Sequence, residues 1–160
     1  MAERAAVRTA GAADAVGMVA LSAAKRRAYA RVHPLFWAPA DGADERQRQW
    51  FLLLMASGEA IALVVDGSAG LEGFLIARPT PVAPVYDPGG GTWTVDDFCV
   101  ATEGLWELVG AALVEEVRRR VHAYGANQLV VVCGSHDGPK REVLRHLGLA
   151  PASEWWVGNA

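Results

Sequence analysis

Cysteine is nearly absent from this chain: Cys99 and Cys133 are the only two in 160 residues. Two cysteines cannot build a disulfide framework, and such sparing use fits a reduced, intracellular setting. Lysine is equally scarce, at Lys25 and Lys140, a bias of composition that carries no chemical signal by itself. The four histidines, His33, His122, His136 and His146, are scattered without ligand spacing, so no metal site is expected. There is no excess of positive charge either. The formal net charge of −3 disfavours nucleic acid and anionic membranes as partners. No apolar run approaches the roughly 20 residues of a membrane span. The most apolar stretch, Trp50 to Ala56, stops at Ser57-Gly58-Glu59. Met1-Ala2-Glu3-Arg4 lacks the apolar run of a secretory signal, so a soluble, cytoplasmic protein is expected.

What is present is core-forming material. The chain is 52% hydrophobic and 21% charged, a balance that excludes disorder and suits a single domain over residues 1–160. Ala5 to Arg8 reads as a short strand. A helix is predicted from Asp14 to about Arg31, with Val16, Val19, Ala20 and Ala23 as its apolar stripe. His33-Pro34 ends it, and Pro34 to Gly42 is a loop. Asp44 to about Ala56 reads as a second helix. Ala60–Val65 and Leu71–Arg78 read as a hairpin turned at residues 66–70. A long loop rich in proline and glycine leads to a strand over Thr92–Val100. Leu105, Val109, Leu113, Val117 and Val121 predict a helix from Leu105 to Tyr124, closed by Gly125. Leu129–Cys133 is a continuous apolar run, as in a central strand buried on both faces. Lys140–Leu147 reads as a helix and Ser153–Val157 as a last strand. The expected order is β-α-α-β-β-β-α-β-α-β, an α/β domain with a mixed sheet flanked by helices.

Four segments carry a family resemblance. Val7-Arg8-Thr9-Ala10 with Asp14 looks like a first strand and helix start. Leu71-Glu72-Gly73-Phe74-Leu75-Ile76 places a glycine before an apolar strand. Asp97-Phe98-Cys99-Val100 leads through a short loop to Gly110-Ala111-Ala112-Leu113, and Leu144-Arg145-His146-Leu147-Gly148-Leu149 closes a helix. In this order and at this length the chain resembles the GNAT superfamily of acyl-CoA-dependent N-acyltransferases. The resemblance implies acetyl-CoA as co-substrate, a small-molecule or peptide amine as acceptor, and direct attack without a covalent enzyme intermediate. It also implies that the pantetheine arm enters where the strands at Cys99-Val100 and Leu129–Cys133 splay apart. Phe98, Cys99, Val100, Leu105, Val109, Gly110 and Ala111 would then contact the cofactor. The family's phosphate loop corresponds to Leu105-Trp106-Glu107-Leu108-Val109-Gly110, which keeps only the last glycine and adds Glu103 and Glu107. The tyrosine that protonates the leaving thiolate in many members corresponds to Leu144, and a usual asparagine to His136.

Candidate site residues follow. Asp96 and Asp97 lie on the strand where the family often places its general base. Strand neighbours point to opposite faces, so at most one serves. Simple alternation groups Asp96 with Thr94, Phe98 and Val100, and favours it. His136 is a candidate proton donor or cofactor contact, or sits in an ordinary helix cap made by Ser135 or Asp137. Lys140 is a candidate for a CoA phosphate. Tyr29, His33, Phe36 and Trp37 line an acceptor pocket or form a core-packing turn. Cys133 beside His136 is too loose a pairing for a thiol nucleophile. A non-catalytic GNAT-like module that binds an acyl-CoA, another small ligand or a protein is the rival reading. Trp155-Trp156, one packed on the sheet and one exposed, suggests a homodimer through the C-terminal strand.

Overall fold

The computed structural model describes residues 5–160. Ile61–Gly67 (β2) and Gly70–Thr80 (β3) pair as the expected antiparallel hairpin. Val7–Thr9 (β1) joins the free side of β2, and Gly91–Val100 (β4) the free side of β3, both antiparallel. Ala126–Val131 (β5) lies parallel to β4. The sheet order β1-β2-β3-β4-β5 is therefore the chain order.

Alternation along the strands sends side chains to two cores. Ile61, Leu63, Val65, Leu75 and Ala77 pack under Ala111–Ala123 (α3) and Gly138–His146 (α4). Ala62, Val64, Phe74 and Ile76 pack under Ala15–Val32 (α1) and Ala43–Ser57 (α2), with Met18 and Phe51 fully buried. The Phe51 and Phe74 rings meet edge-on with centroids 5.5 Å apart. Each such side chain contributes about 1.5–3 kcal/mol by leaving water. Gly125, at φ 78°, turns the chain from α3 into β5, a left-handed conformation that a side chain would strain.

Three expectations are corrected. The long helix does not start as an α-helix at Leu105. Glu103–Leu105 is a 3-10 turn and Trp106–Gly110 a π-helical turn, and only then does α3 begin. β5 begins three residues earlier than expected and is the edge strand of the sheet, not a central one. Val130 and the following Val132 are exposed, so its apolar run covers one face only. Residues 149–160 form no strand. Pro151 removes a backbone donor at the start of the segment. Both Trp155 and Trp156 stand in solvent, at 83% and 90% exposure, so neither packs on the sheet.

Candidate functional site

The site is built around an irregularity in β4. Leu75 pairs with Phe98 and Ala77 with Val95, so Asp96 and Asp97 together oppose Ile76. This is a β-bulge, and one extra residue reverses the alternation beyond it. Trp93, Val95 and Phe98 consequently all face α3 and α4, whereas Cys99 faces α1 and α2. The grouping of Asp96 with Phe98 and Val100 fails for this reason. Asp96 is exposed, whereas Asp97 is half-buried and its Oδ1 accepts from Gln47 Nε2 at 3.3 Å. Arg26 donates in turn to Gln47 Oε1, and its other nitrogen pairs with Asp44 at 2.5 Å. Burial, then the neighbouring charge of Asp96, pushes the Asp97 carboxyl above the usual carboxylate range.

At the same point β4 and β5 part. The parallel register runs from Gly91 opposite Ala126 to Val95 opposite Val131. The Val132 amide still donates to Val95 O at 2.8 Å. The Val132 carbonyl, the next group a continued ladder would offer to β4, accepts instead from Lys140 Nζ at 2.9 Å. Lys140 reaches this point from the first turn of α4 and is 0% exposed. Its ammonium lies 4.9 Å from the Phe98 ring centroid and 5.7 Å from that of Trp106. Burial, then the charge of Lys25, lowers its pKa to about 8. Lys140 thus cannot serve as a surface contact for a CoA phosphate. Lys25 comes from α1 on the opposite face, with Nζ 5.2 Å from the Tyr29 ring centroid. Its charge acts on Asp97, Cys99, Cys133 and Lys140.

The end of α1 and the turn after it close the same region. Tyr29 is buried, and its hydroxyl donates to Asp137 Oδ2 at 2.5 Å. Its ring meets His136 at 4.5 Å and Trp37 at 4.9 Å between centroids. Phe36 packs on Trp37 at 4.9 Å, with His33 at 6.2 Å from the same indole. Tyr29, His33, Phe36, Trp37 and His136 are therefore one aromatic cluster against the loop between β5 and α4. Asp137 Oδ1 accepts from Lys140 N at 3.3 Å, so Asp137 caps α4 as the capping alternative required. The Tyr29 phenol is pushed up by burial and then by Asp137. Cys99 and Cys133 are pushed up by burial, so neither is primed as a thiolate.

The turn before α3 departs furthest from a phosphate-binding loop. The Leu105 amide donates to Thr102 O at 3.0 Å and the Trp106 amide to Glu103 O, so both are satisfied within the backbone. A Cβ on Gly110 would lie 2.6 Å from Trp106 Cε3. Gly110 is thus a glycine because the Trp106 ring lies on it. Phe98 and Val109 are fully buried, and Val100, Leu105 and Ala111 are half-buried against the same core. Glu107 pairs with His146 at 3.1 Å. A shallow depression of about 340 Å³ adjoins the Arg26–Gln47–Asp97 chain, lined by Ala23, Arg26, Arg27 and Asp44 among others. Among the described residues there is no group of three or more His, Cys, Asp or Glu placed for a metal, and no helix long and apolar enough to cross a membrane.

The sequence matches no family model and no curated protein. Solved structures do match. A predicted acetyltransferase from Clostridium acetobutylicum, crystallised with acetyl-CoA, is 12% identical, with 96% of this chain and 95% of that one covered at a TM-score of 0.70. The chain has the GNAT fold. Glucosamine-6-phosphate N-acetyltransferase from Arabidopsis thaliana has a TM-score of 0.66 at 13% identity, over 98% of this chain and 99% of that one. A ribosomal-protein-alanine N-acetyltransferase from Brucella melitensis has a TM-score of 0.64 at 18% identity, over 97% and 99%. At these identities the likeness is one of fold, and activity must be argued from the site.

Sequence reasoning missed Gln47, Lys25 and Trp106. Gln47 and Trp106 left no signal in spacing or composition. The scarcity of lysine, at Lys25 and Lys140 alone, gave no hint that both act at the point where β4 and β5 part.

Proposed function

We propose that the protein is an acyl-CoA-dependent N-acyltransferase that passes an acetyl group to a small-molecule or peptide amine by direct attack. The observation that carries this reading is Asp97. It is a half-buried carboxyl on the bulge of β4, held by Gln47, at the place where β4 and β5 separate. Its raised pKa makes it a stronger base than an ordinary carboxylate, and it is the preferred acceptor of the amine proton. A backbone amide near Cys99 or Val100 would polarise the thioester carbonyl. The fold likeness to an acetyltransferase holding acetyl-CoA supports the choice of co-substrate.

A second reading, a non-catalytic module of the same fold, is favoured by two observations. The gap is filled by Lys140, Phe98 and Trp106, and the turn before α3 presents Glu103 and Glu107 with the Leu105 and Trp106 amides already used. For an acyl-CoA to enter, the gap must widen beside the Lys140 side chain. Thermal denaturation with acetyl-CoA separates the readings. Ligand at about 100 times its Kd stabilises by about 2.7 kcal/mol, raising Tm by several degrees. No shift at millimolar acetyl-CoA overturns the acyltransferase reading. Binding without transfer to any of a panel of amines leaves the module.

A further inference from the structure

Of the basic residues in this chain all but two are arginine, and the two lysines converge from opposite faces on one gap in the sheet. The distinction is chemical, because a buried guanidinium keeps its proton and a buried ammonium can release it. Lys140 is placed to do so. Among the described residues, the structure gives its ammonium one hydrogen bond, to Val132 O. An ammonium has three donors. The same nitrogen lies 4.9 Å from the Phe98 ring centroid and 5.7 Å from that of Trp106. Leu144, one turn further along the same face of α4, has no proton to give.

We propose that Lys140 is the acid that protonates the departing thiolate of the acyl donor. This rests on the acyltransferase reading above. In the reaction the amine nitrogen bonds to the thioester carbon, the carbon–sulfur bond breaks, and sulfur leaves with the electron pair. Lys140 Nζ gives that sulfur a proton and becomes a neutral amine. The proton lost by the attacking nitrogen passes to Asp97 and returns to Lys140 through solvent. No other reactant is required. A pKa of about 8 lies near that of an ordinary thiol, about 8.5, so transfer in either direction is nearly balanced. The groups that set it are Lys25 from α1, Cys99 from β4, and Cys133 and Asp137 from the segment joining β5 to α4. Trp106, from the turn before α3, supplies an apolar wall.

The test uses free CoA and desulfo-CoA, which differ only at sulfur, and so needs no acceptor amine. The parent should bind CoA about tenfold tighter than desulfo-CoA near pH 8, the size of one charge-assisted contact. Its CoA complex should show thiolate absorption that the desulfo-CoA complex lacks. The two protein thiols are held protonated and common to both complexes. Lys140→Met should abolish the preference and the absorption, and Lys140→Arg should keep the preference. Thermal melts establish that each variant is folded. If the parent binds both ligands equally, or Lys140→Met keeps the preference, Lys140 is a core lysine and the proposal falls while the acyltransferase reading stands. If the parent binds neither ligand at millimolar concentration, that reading falls and takes this one with it.

Discussion

At Asp97 two effects act in one direction, since burial and the Asp96 charge both oppose ionisation. A carboxyl with a raised folded pKa adds most stability at pH values below its unfolded pKa, and loses that contribution as pH rises through the folded value. Asp97→Asn should therefore be at least as stable as the parent at neutral pH, while lowering acetyl transfer about 100-fold. Asp96→Asn, at an exposed position, should act only through the loss of its charge beside Asp97 and lower transfer far less than Asp97→Asn. Initial rates between about pH 6 and 9 decide it, and equal rates for both variants would leave water as the base. Lys140 carries the opposite sign. Its folded pKa is lowered, so between about pH 8 and 10.5 the unfolded chain binds the extra proton. Parent stability relative to Lys140→Met should then climb with pH across that window, by up to about 1.4 kcal/mol per unit. Urea denaturation at stepped pH measures it, and a flat difference would mean that Lys140 titrates normally.

The elements were legible where periodicity was strong and illegible where tertiary contacts overrode it. The repeat from Leu105 to Val121 gave α3 its apolar face, yet Trp106 converts its first turns into a π-helical segment by packing onto Gly110 and Phe98. Spacing alone cannot report that contact. The bulge at Asp96 and Asp97 was equally hidden, because both registers of β4 bury apolar residues and only pairing with Ile76 selects one. The aromatic cluster was half legible: the family resemblance groups Tyr29, His33, Phe36 and Trp37 at the end of the first helix, whereas His136 joins them only through the fold. One prediction belongs here. Gly110→Ala should lose about 1–3 kcal/mol through overpacking against Trp106, seen as a fall in Tm. Wild-type stability in that variant would show that the turn yields freely.

On the scale of the whole molecule the sheet ends at β5. Among the described residues no strand pairs with its outer side, and Trp155 and Trp156 stand in solvent, with the Trp155 ring 6.4 Å from that of Phe36. Val32, Leu35 and Phe36 are also exposed. Apolar surface of this kind marks an interface. We propose a homodimer through the C-terminal region, with two-fold symmetry as the simplest closure. Light scattering should give about twice 17.0 kDa, and Trp156→Ser should shift the population towards monomer. A monomer at micromolar concentration would refute it. The chain-ordered sheet bears on how the protein assembles in time. From β2 to β4 each strand pairs with its predecessor across a short to moderate connection, whereas β1 reaches β2 only across α1 and α2. Small loop closures cost little entropy, so the β2–β3–β4 meander is the natural folding nucleus. β5 must wait for the crossover through α3, and Lys140 can be buried only after β5 has docked. The gap that holds the proposed chemistry thus forms later than the meander. By the same reasoning it opens more readily than the meander in local fluctuations, which gives a ligand a kinetic route past the Lys140 side chain.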